Sequence, residues 1–196
     1  MKKSVIVIIG LVILAGIIFL WYQGAYNGLV QADENVKSAW GNVENQYQRR
    51  SDLVPNLVAT VKGYATHEAT TLENVINARA KATQMTIDPT NLNEETMAQF
   101  QAVQGQLTSA LSRLLVNVEA YPDLKANQNF LDLQAQLEGT ENRIATERMR
   151  FNETAQQYNT MVRRFPNNII AGISGFSVKP YFKSDPGSEK APEVKF

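Results

Sequence analysis

Forty consecutive residues, Ala126 to Phe165, repeat one apolar face. Phe130, Leu133, Leu137, Thr140, Ile144, Phe151, Tyr158, Val162 and Phe165 follow one another at steps built from threes and fours, with other residue types in the slots at Glu147 and Ala155. That spacing is the stripe of an amphipathic helix. No proline interrupts it, and the lone Gly139 weakens a helix without ending it. Forty helical residues would span about 60 Å. A helix of that length with one apolar stripe is stable only when other helices cover the stripe, so the expected fold is all-α and elongated.

The rest of the chain supplies the covering helices. Leu29, Val36, Trp40, Val43, Tyr47 and Val54 form one stripe; Leu57, Val61, Ala65, Leu72, Val75 and Ile76 form a second. Between them, Ser51-Asp52-Leu53-Val54-Pro55 has a capping residue followed by a proline suited to a first helical turn, which predicts a turn there. The stripe keeps its phase across Pro55, so the alternative is one long kinked helix. The second helix should stop near Thr86-Ile87-Asp88-Pro89-Thr90-Asn91. Asn93-Glu94-Glu95-Thr96 reads as a helix start, and Met97, Phe100, Val103, Leu107, Leu111, Leu114, Leu115 and Val118 make a third stripe that ends at Tyr121-Pro122. Asn127 or a neighbour should cap the long helix. Short connections make consecutive helices antiparallel, so residues 26–166 are expected to form an elongated antiparallel four-helix bundle.

Ahead of the bundle, Lys2 and Lys3 precede eighteen uncharged, mainly apolar residues, Val5 to Tyr22, with Trp21 and Tyr22 at the far end. As a helix the run spans ~27 Å, close to the hydrocarbon thickness of a bilayer. A cleaved signal peptide would have a shorter apolar core and a small-x-small site after it, whereas this stretch continues Trp21-Tyr22-Gln23-Gly24-Ala25-Tyr26. Residues 1–25 are therefore expected to be a retained transmembrane anchor, meeting the lipid bilayer through residues 5–22. The lysines before the run, with none after it until Lys37, predict a cytoplasmic N-terminus and an exported bundle.

After Phe165-Pro166 the pattern changes. Residues 167–183 are apolar and glycine-punctuated, and residues 184–196 are polar and proline-containing, as in a disordered tail. Up-and-down topology would place the apolar segment at the membrane end. Ile169, Ile170, Ile173, Phe176, Tyr181 and Phe182 are candidates for contact with the bilayer surface or a neighbouring subunit; the other reading is that they cap the bundle's own core.

The chemistry the chain excludes is informative. Nineteen basic residues balance nineteen acidic ones, and without Lys2 and Lys3 the count is 17 against 19. No basic surplus exists to neutralise phosphates, which argues against nucleic acid as a partner. Cysteine is absent, removing disulfides, thiolate metal sites and cysteine nucleophiles. A di-metal carboxylate bundle needs two Glu-x-x-His pairs, and the single histidine, His67, has Tyr64 three residues before it. No phosphate-cradling loop or nucleophile elbow is present. These features predict a protein that is not an enzyme and holds no cofactor or metal. The oddest residues of the long helix are Thr140 and Glu147, which occupy stripe positions, and Glu141 and Arg143, which flank it. Polar groups there can set helix register or line a small-ligand pocket between helices.

Several motifs carry a family resemblance: Tyr26-Asn27-x-Leu29, Val36-x-x-Ala39-Trp40, Arg49-Arg50-x-Asp52-Leu53-x-Pro55-Asn56-Leu57-Val58, Lys62-Gly63-Tyr64-Ala65-x-His67-Glu68, Tyr121-Pro122-x-Leu124-Lys125-Ala126, Thr140-Glu141-Asn142-Arg143-Ile144-Ala145, Phe151-Asn152 and Tyr158-Asn159. With these the chain resembles the LemA family of bacterial membrane-associated proteins. The resemblance implies a short N-terminal anchor and an antiparallel four-helix bundle with a turn before Pro55. It implies no established enzyme activity, cofactor or catalytic residue. The expected function is that of a non-enzymatic, membrane-anchored protein of the bacterial cell envelope. It would present helical faces for homo-oligomer formation or for an envelope partner. The alternative is a membrane-tethered sensor or small-ligand-binding bundle.

Overall fold

The computed structural model describes residues 2–64 and 68–183. His67 and the tail 184–196 lie outside the described residues. All regular structure among those described is helical, with α1 over Lys2–Lys62, α2 over Ala69–Gln84, α3 over Glu94–Val118, a short α4 over Pro122–Lys125, α5 over Gln128–Arg163 and α6 over Asn167–Ser174. A single 3-10 turn, Pro89–Asn91, lies between α2 and α3.

The predicted starts of α3 and α5 are where expected, and the local chemistry explains them. Asn93 and Thr96 form a reciprocal capping box at the head of α3. The Asn127 side chain accepts the Phe130 N–H at the head of α5. The turn expected before Pro55 is not formed. The helix runs through it for 61 residues, about 90 Å, from the apolar run to Lys62. Pro55 has no N–H to give the carbonyl of Ser51, four residues earlier, and Ser51 is buried. That orphaned carbonyl instead accepts Nε of Arg79, reaching across from α2 at 2.8 Å. A tertiary hydrogen bond thus replaces the local one that proline removes, and the first turn of the chain falls at Gly63-Tyr64.

The long helices run in alternating directions. Ser51 of α1 meets Arg79 of α2, while nearer the start of α1 Val43 and Tyr47 share a buried cluster with Ile87, beyond the end of α2. α3 returns beside α2, with Gln104 reaching the Ala82 carbonyl and Asn117 reaching Glu68 and Thr71. α5 then runs back along α1, pairing Glu141 with Arg50, Phe151 with Trp40 and Met161 with Gly28.

Two buried clusters fill the space between the helices. The distal cluster holds Val54, Leu57 and Val61 of α1 against Leu72, Val75, Ala78 and Ala82 of α2, Leu107, Leu111, Leu114 and Val118 of α3, and Phe130 and Leu137 of α5. The cluster nearer the apolar run holds Leu29, Val36, Trp40, Val43 and Tyr47 against Ile144, Phe151, Ala155, Tyr158 and Val162 of α5. α3 and the connection from α2 reach only the lower edge of that second cluster, through Met97 and Phe100 and through Ile87 and Leu92. Beyond Trp40, α1 and α5 continue as a pair, and two helices alone cannot enclose a core. α6 and the extended segment after it complete the enclosure with Ile170, Ala171 and Phe182. Gly175, at φ 78°, makes the left-handed turn that ends α6 and redirects the chain.

Candidate functional site

Arg50 stands between the two clusters. It is 1% exposed, an unusual position for an arginine. Its Nη1 donates to Glu141 Oε1 at 2.8 Å and to Thr108 Oγ1 at 2.7 Å. Its Nη2 donates to Gln104 Oε1 at 2.7 Å and to the Gln104 carbonyl at 3.2 Å. The guanidinium also lies 5.1 Å from the Tyr47 ring centre. One side chain therefore ties α1 to both α3 and α5, and the core divides at that level. Gln104 is itself buried and spends its amide N–H₂ on α2. An open groove of about 1350 Å³ runs beside this layer along α3, with Arg50, Gln104, Thr108 and Glu141 in its wall.

The four residues marked in the long helix separate here. Glu141 joins Arg50. Thr140 is buried at the same level, but its hydroxyl donates to the Gln136 carbonyl of its own helix. Arg143 is exposed, and Glu147 pairs with Arg150 one turn on. Thr140, Arg143 and Glu147 do not line the groove.

A second polar construction holds the segment after α6. Asn159 donates to the Lys179 carbonyl at 2.8 Å and accepts the Lys179 N–H at 2.7 Å. Asn152 does the same for Phe182, at 3.0 and 2.8 Å. Each carboxamide thus gives an extended backbone the pair of bonds that a neighbouring strand would give. The spacing fits the two periodicities. Seven helical residues rise about 10.5 Å, and three extended residues advance about 10 Å. Residues 176–183 thereby form a strap clamped to α5. Between the clamps, Tyr181 Oη accepts from Asn159. Phe182 stacks on Trp40, meets Phe151 edge-on, and lies under the Arg148 guanidinium.

The strap brings one buried charge. Lys179 is 8% exposed and pairs with Asp33 of α1 at 2.9 Å, beside the Tyr158 ring. Burial pushes the Asp33 carboxyl up, but hydrogen bonds from Lys37 and Lys179 outweigh it and hold the group below the ordinary carboxylate value. Lys37 is raised by its bonds to Glu34 and Asp33. Burial and the Asp33 charge push Tyr158 up to about 12. Glu44 moves the other way from Asp33: burial raises it above the ordinary carboxylate value.

The apolar C-terminal residues divide into two groups. Ile170 and Phe182 are core, Phe176 packs edge-on against Tyr26, and Tyr181 is bonded to Asn159. Ile169 and Ile173 are exposed, and so is Phe165, although it continues the stripe of the long helix.

Arg50, Gln104, Asp33, Asn152, Asn159 and Lys179 were not legible as site residues, yet three left a trace. In α1 the slots 36, 40, 43, 47, 50, 54, 57 and 61 alternate strictly between steps of four and three, and Arg50 occupies one of them. Asp33 fits the same series extended back to Leu29. Gln104 does so in α3, between Phe100 and Leu107. A polar residue inside an unbroken stripe is the signal. Asn152 and Asn159 lie off the stripe, and only the strap's path makes sense of them. Among the described residues no group of three or more histidine, aspartate or glutamate side chains gathers to hold a metal ion.

The LemA family model matches residues 39–196. Among curated proteins the chain is similar to magnetosome protein MamQ 2 of Paramagnetospirillum magneticum, 27% identical over 84% of this chain and 66% of that one. It is similar to magnetosome protein MamQ of Magnetospirillum gryphiswaldense, 26% identical with the same coverage. It is also similar to Protein LemA of Metamycoplasma hominis, 24% identical over 80% of this chain and 68% of that protein. The chain thus spans just under two thirds of the length of the MamQ proteins it matches.

Proposed function

The chain belongs to the LemA family, and from that premise we propose a non-enzymatic, single-pass membrane protein whose four long helices work as an elongated antiparallel bundle, a rigid post presenting helical faces for self-association or for an envelope partner. One observation carries the reading. α1 is a single helix from its apolar run to Lys62, so no hinge separates the span from the soluble body. The Arg79 bond at Pro55 preserves that stiffness where the sequence would break it. The buried polar groups support the same view. Arg50, through Nη1 and Nη2, and the two asparagines, through their carboxamides, hold elements together. In this reading the N-terminus is cytoplasmic and the bundle is exported.

Light scattering on the full-length protein in mild detergent, followed by imaging, tests the proposal. A large, regular assembly, or one stoichiometric co-purifying protein, is the expected result. A strict monomer at high concentration with no companion overturns it. The sensor reading has less support. It called for an enclosed pocket around Thr140, Glu141 and Arg143, and the groove at Arg50 is open and takes only Glu141 of the three.

A further inference from the structure

The exposed apolar residues around α6 have a defined height. α1 is continuous, so each level of the soluble body can be read against the end of the span. Tyr26 lies four residues beyond Tyr22, a rise of about 6 Å. Phe176, just past α6, packs against Tyr26 with ring centres 5.8 Å apart. The headgroup layer of a bilayer is about 5–8 Å thick on each side. With the aromatic end of the run at the hydrocarbon boundary, the Tyr26 level falls inside that layer.

Two further features meet there. α6 buries Ile170 and Ala171 against the core and leaves Ile169 and Ile173, one turn apart, facing outward, with Ile173 and the preceding Phe165 each 76% exposed. Beside them lie Arg163, the last residue of α5, and Arg164, which caps it, both exposed. The charge at this end is one-sided. Residues 1–32 and 154–183 contain no aspartate or glutamate, and the first acids on the two helices, Asp33 and Glu153, lie deeper in the body. An apolar face rimmed by arginines, at headgroup height, is complementary to an anionic membrane surface.

We propose that Phe165, Ile169 and Ile173, together with Arg163 and Arg164, form a foot that lies in the headgroup layer beside the anchor and binds anionic lipid. The inference rests on α1 crossing the membrane. The foot would give the post a second point of attachment, which fixes its tilt and rotation as a lone helix cannot.

The absence of cysteine makes the test direct. Full-length single-cysteine variants Ile173→Cys, Phe19→Cys and Val116→Cys, carrying an environment-sensitive fluorophore, are reconstituted in phosphatidylcholine vesicles with and without phosphatidylglycerol. Quenching by a headgroup-level lipid nitroxide is compared with quenching by aqueous iodide. The expected result is lipid quenching at position 173 that strengthens with phosphatidylglycerol, with position 116 at the far end of α3 open to iodide only. Replacing Arg163 and Arg164 by Gln should cut the gain from phosphatidylglycerol by about fivefold per arginine. Iodide access at 173 equal to that at 116, with 19 still lipid-quenched, overturns the foot and leaves the anchor standing. Shielding of 173 from both quenchers gives the surface to a second copy of the chain and also overturns the proposal. Loss of lipid quenching at 19 overturns the anchor, and the foot with it.

Discussion

The two halves of the soluble body solve one packing problem with different material. The distal half draws its core from α1, α2, α3, α5 and Leu124 of α4, and valine, leucine and alanine fill it, with Phe130 its one buried aromatic. The half next to the apolar run has only α1 and α5 as long walls, and its core is aromatic: Trp40, Tyr47, Phe100, Phe151, Tyr158 and Phe182. Fewer walls leave a wider gap to fill, and rings bury the most surface per residue. They also lock one another. Trp40 touches Phe100 and Phe151 edge-on and stacks on Phe182. The distal core is built by helix side chains alone. The other is closed by a strap that inserts Phe182 into the core and is held through its backbone. The difference shows that a helical fold can replace a missing helix by an extended segment, provided side-chain amides supply the partners that an extended backbone needs.

The comparison breaks first at Trp40. Trp40→Ala should cost about 3–5 kcal/mol, because the ring is fully buried and three others rest on it. Hydrogen exchange on the full-length protein should lose protection in α1 near Val36–Tyr47 and in the strap before it does in α2 and the distal half of α3. Equal loss in both halves would mean that they unfold as one unit and that the polar layer at Arg50 is no boundary.

The clamps come next. Asn159→Leu keeps the side chain's bulk and removes both bonds to Lys179, leaving a buried N–H and carbonyl unpaired, a cost of about 2–4 kcal/mol if the strap stays in place. The strap can instead swing into water, so the expected readout is exchange of amides 179–182 with the helices still protected. Asn152→Leu should do less, since its bonds to Phe182 are only partly buried. If either variant melts α5 along with the strap, the segment is an integral part of the core and not a separable closure.

The contrast between the halves also marks where the sequence was readable. Periodicity names what turns inward: nearly every stripe residue of α1, α3 and α5 is buried, and the caps at Asn93 and Asn127 are formed. Periodicity does not name what a backbone group bonds to. Pro55 has the local form of a helix start, and only the distant Arg79 makes it a helix interior. The strap has no period at all, so its place could not be read before Asn152 and Asn159 were seen seven residues apart on α5. Phe165 failed for the opposite reason. It keeps the phase of the stripe, but α5 ends at Arg163 and no neighbouring element covers it.

The Pro55 arrangement gives a smaller and sharper test on the distal side. Arg79→Met leaves the buried Ser51 carbonyl without a partner and should cost about 1–3 kcal/mol. Pro55→Ala restores an N–H four residues after Ser51, so most of that loss should vanish in the double variant. A double-mutant cycle in denaturant reads the coupling. Additive effects would mean that the Arg79 bond contributes nothing at this carbonyl.

Acid distinguishes the halves least, through the strap and through Glu44. The Asp33 carboxyl titrates below its ordinary value of 3.8, so its pairing with Lys179 stabilises the folded state above that value. The contribution is lost as pH falls through the depressed folded value. Glu44 has the opposite sign: burial raises it above 4.5, so protonation on moving down from neutral pH relieves a buried charge before Asp33 begins to titrate. The membrane-side half should therefore tighten slightly in mild acid and release its strap only below pH 3.8. Trp40, stacked on Phe182, reports the release. In a Trp21→Phe background it is the sole tryptophan, and its emission should shift to the red as the strap leaves. Asp33→Asn loses the charge partner of Lys179 at every pH, so its strap should be looser at neutral pH and its emission flat across the acid range. A red shift in Asp33→Asn at the same pH as in the parent would assign the transition to another carboxylate and remove Asp33 as the acid-sensitive contact between α1 and the strap.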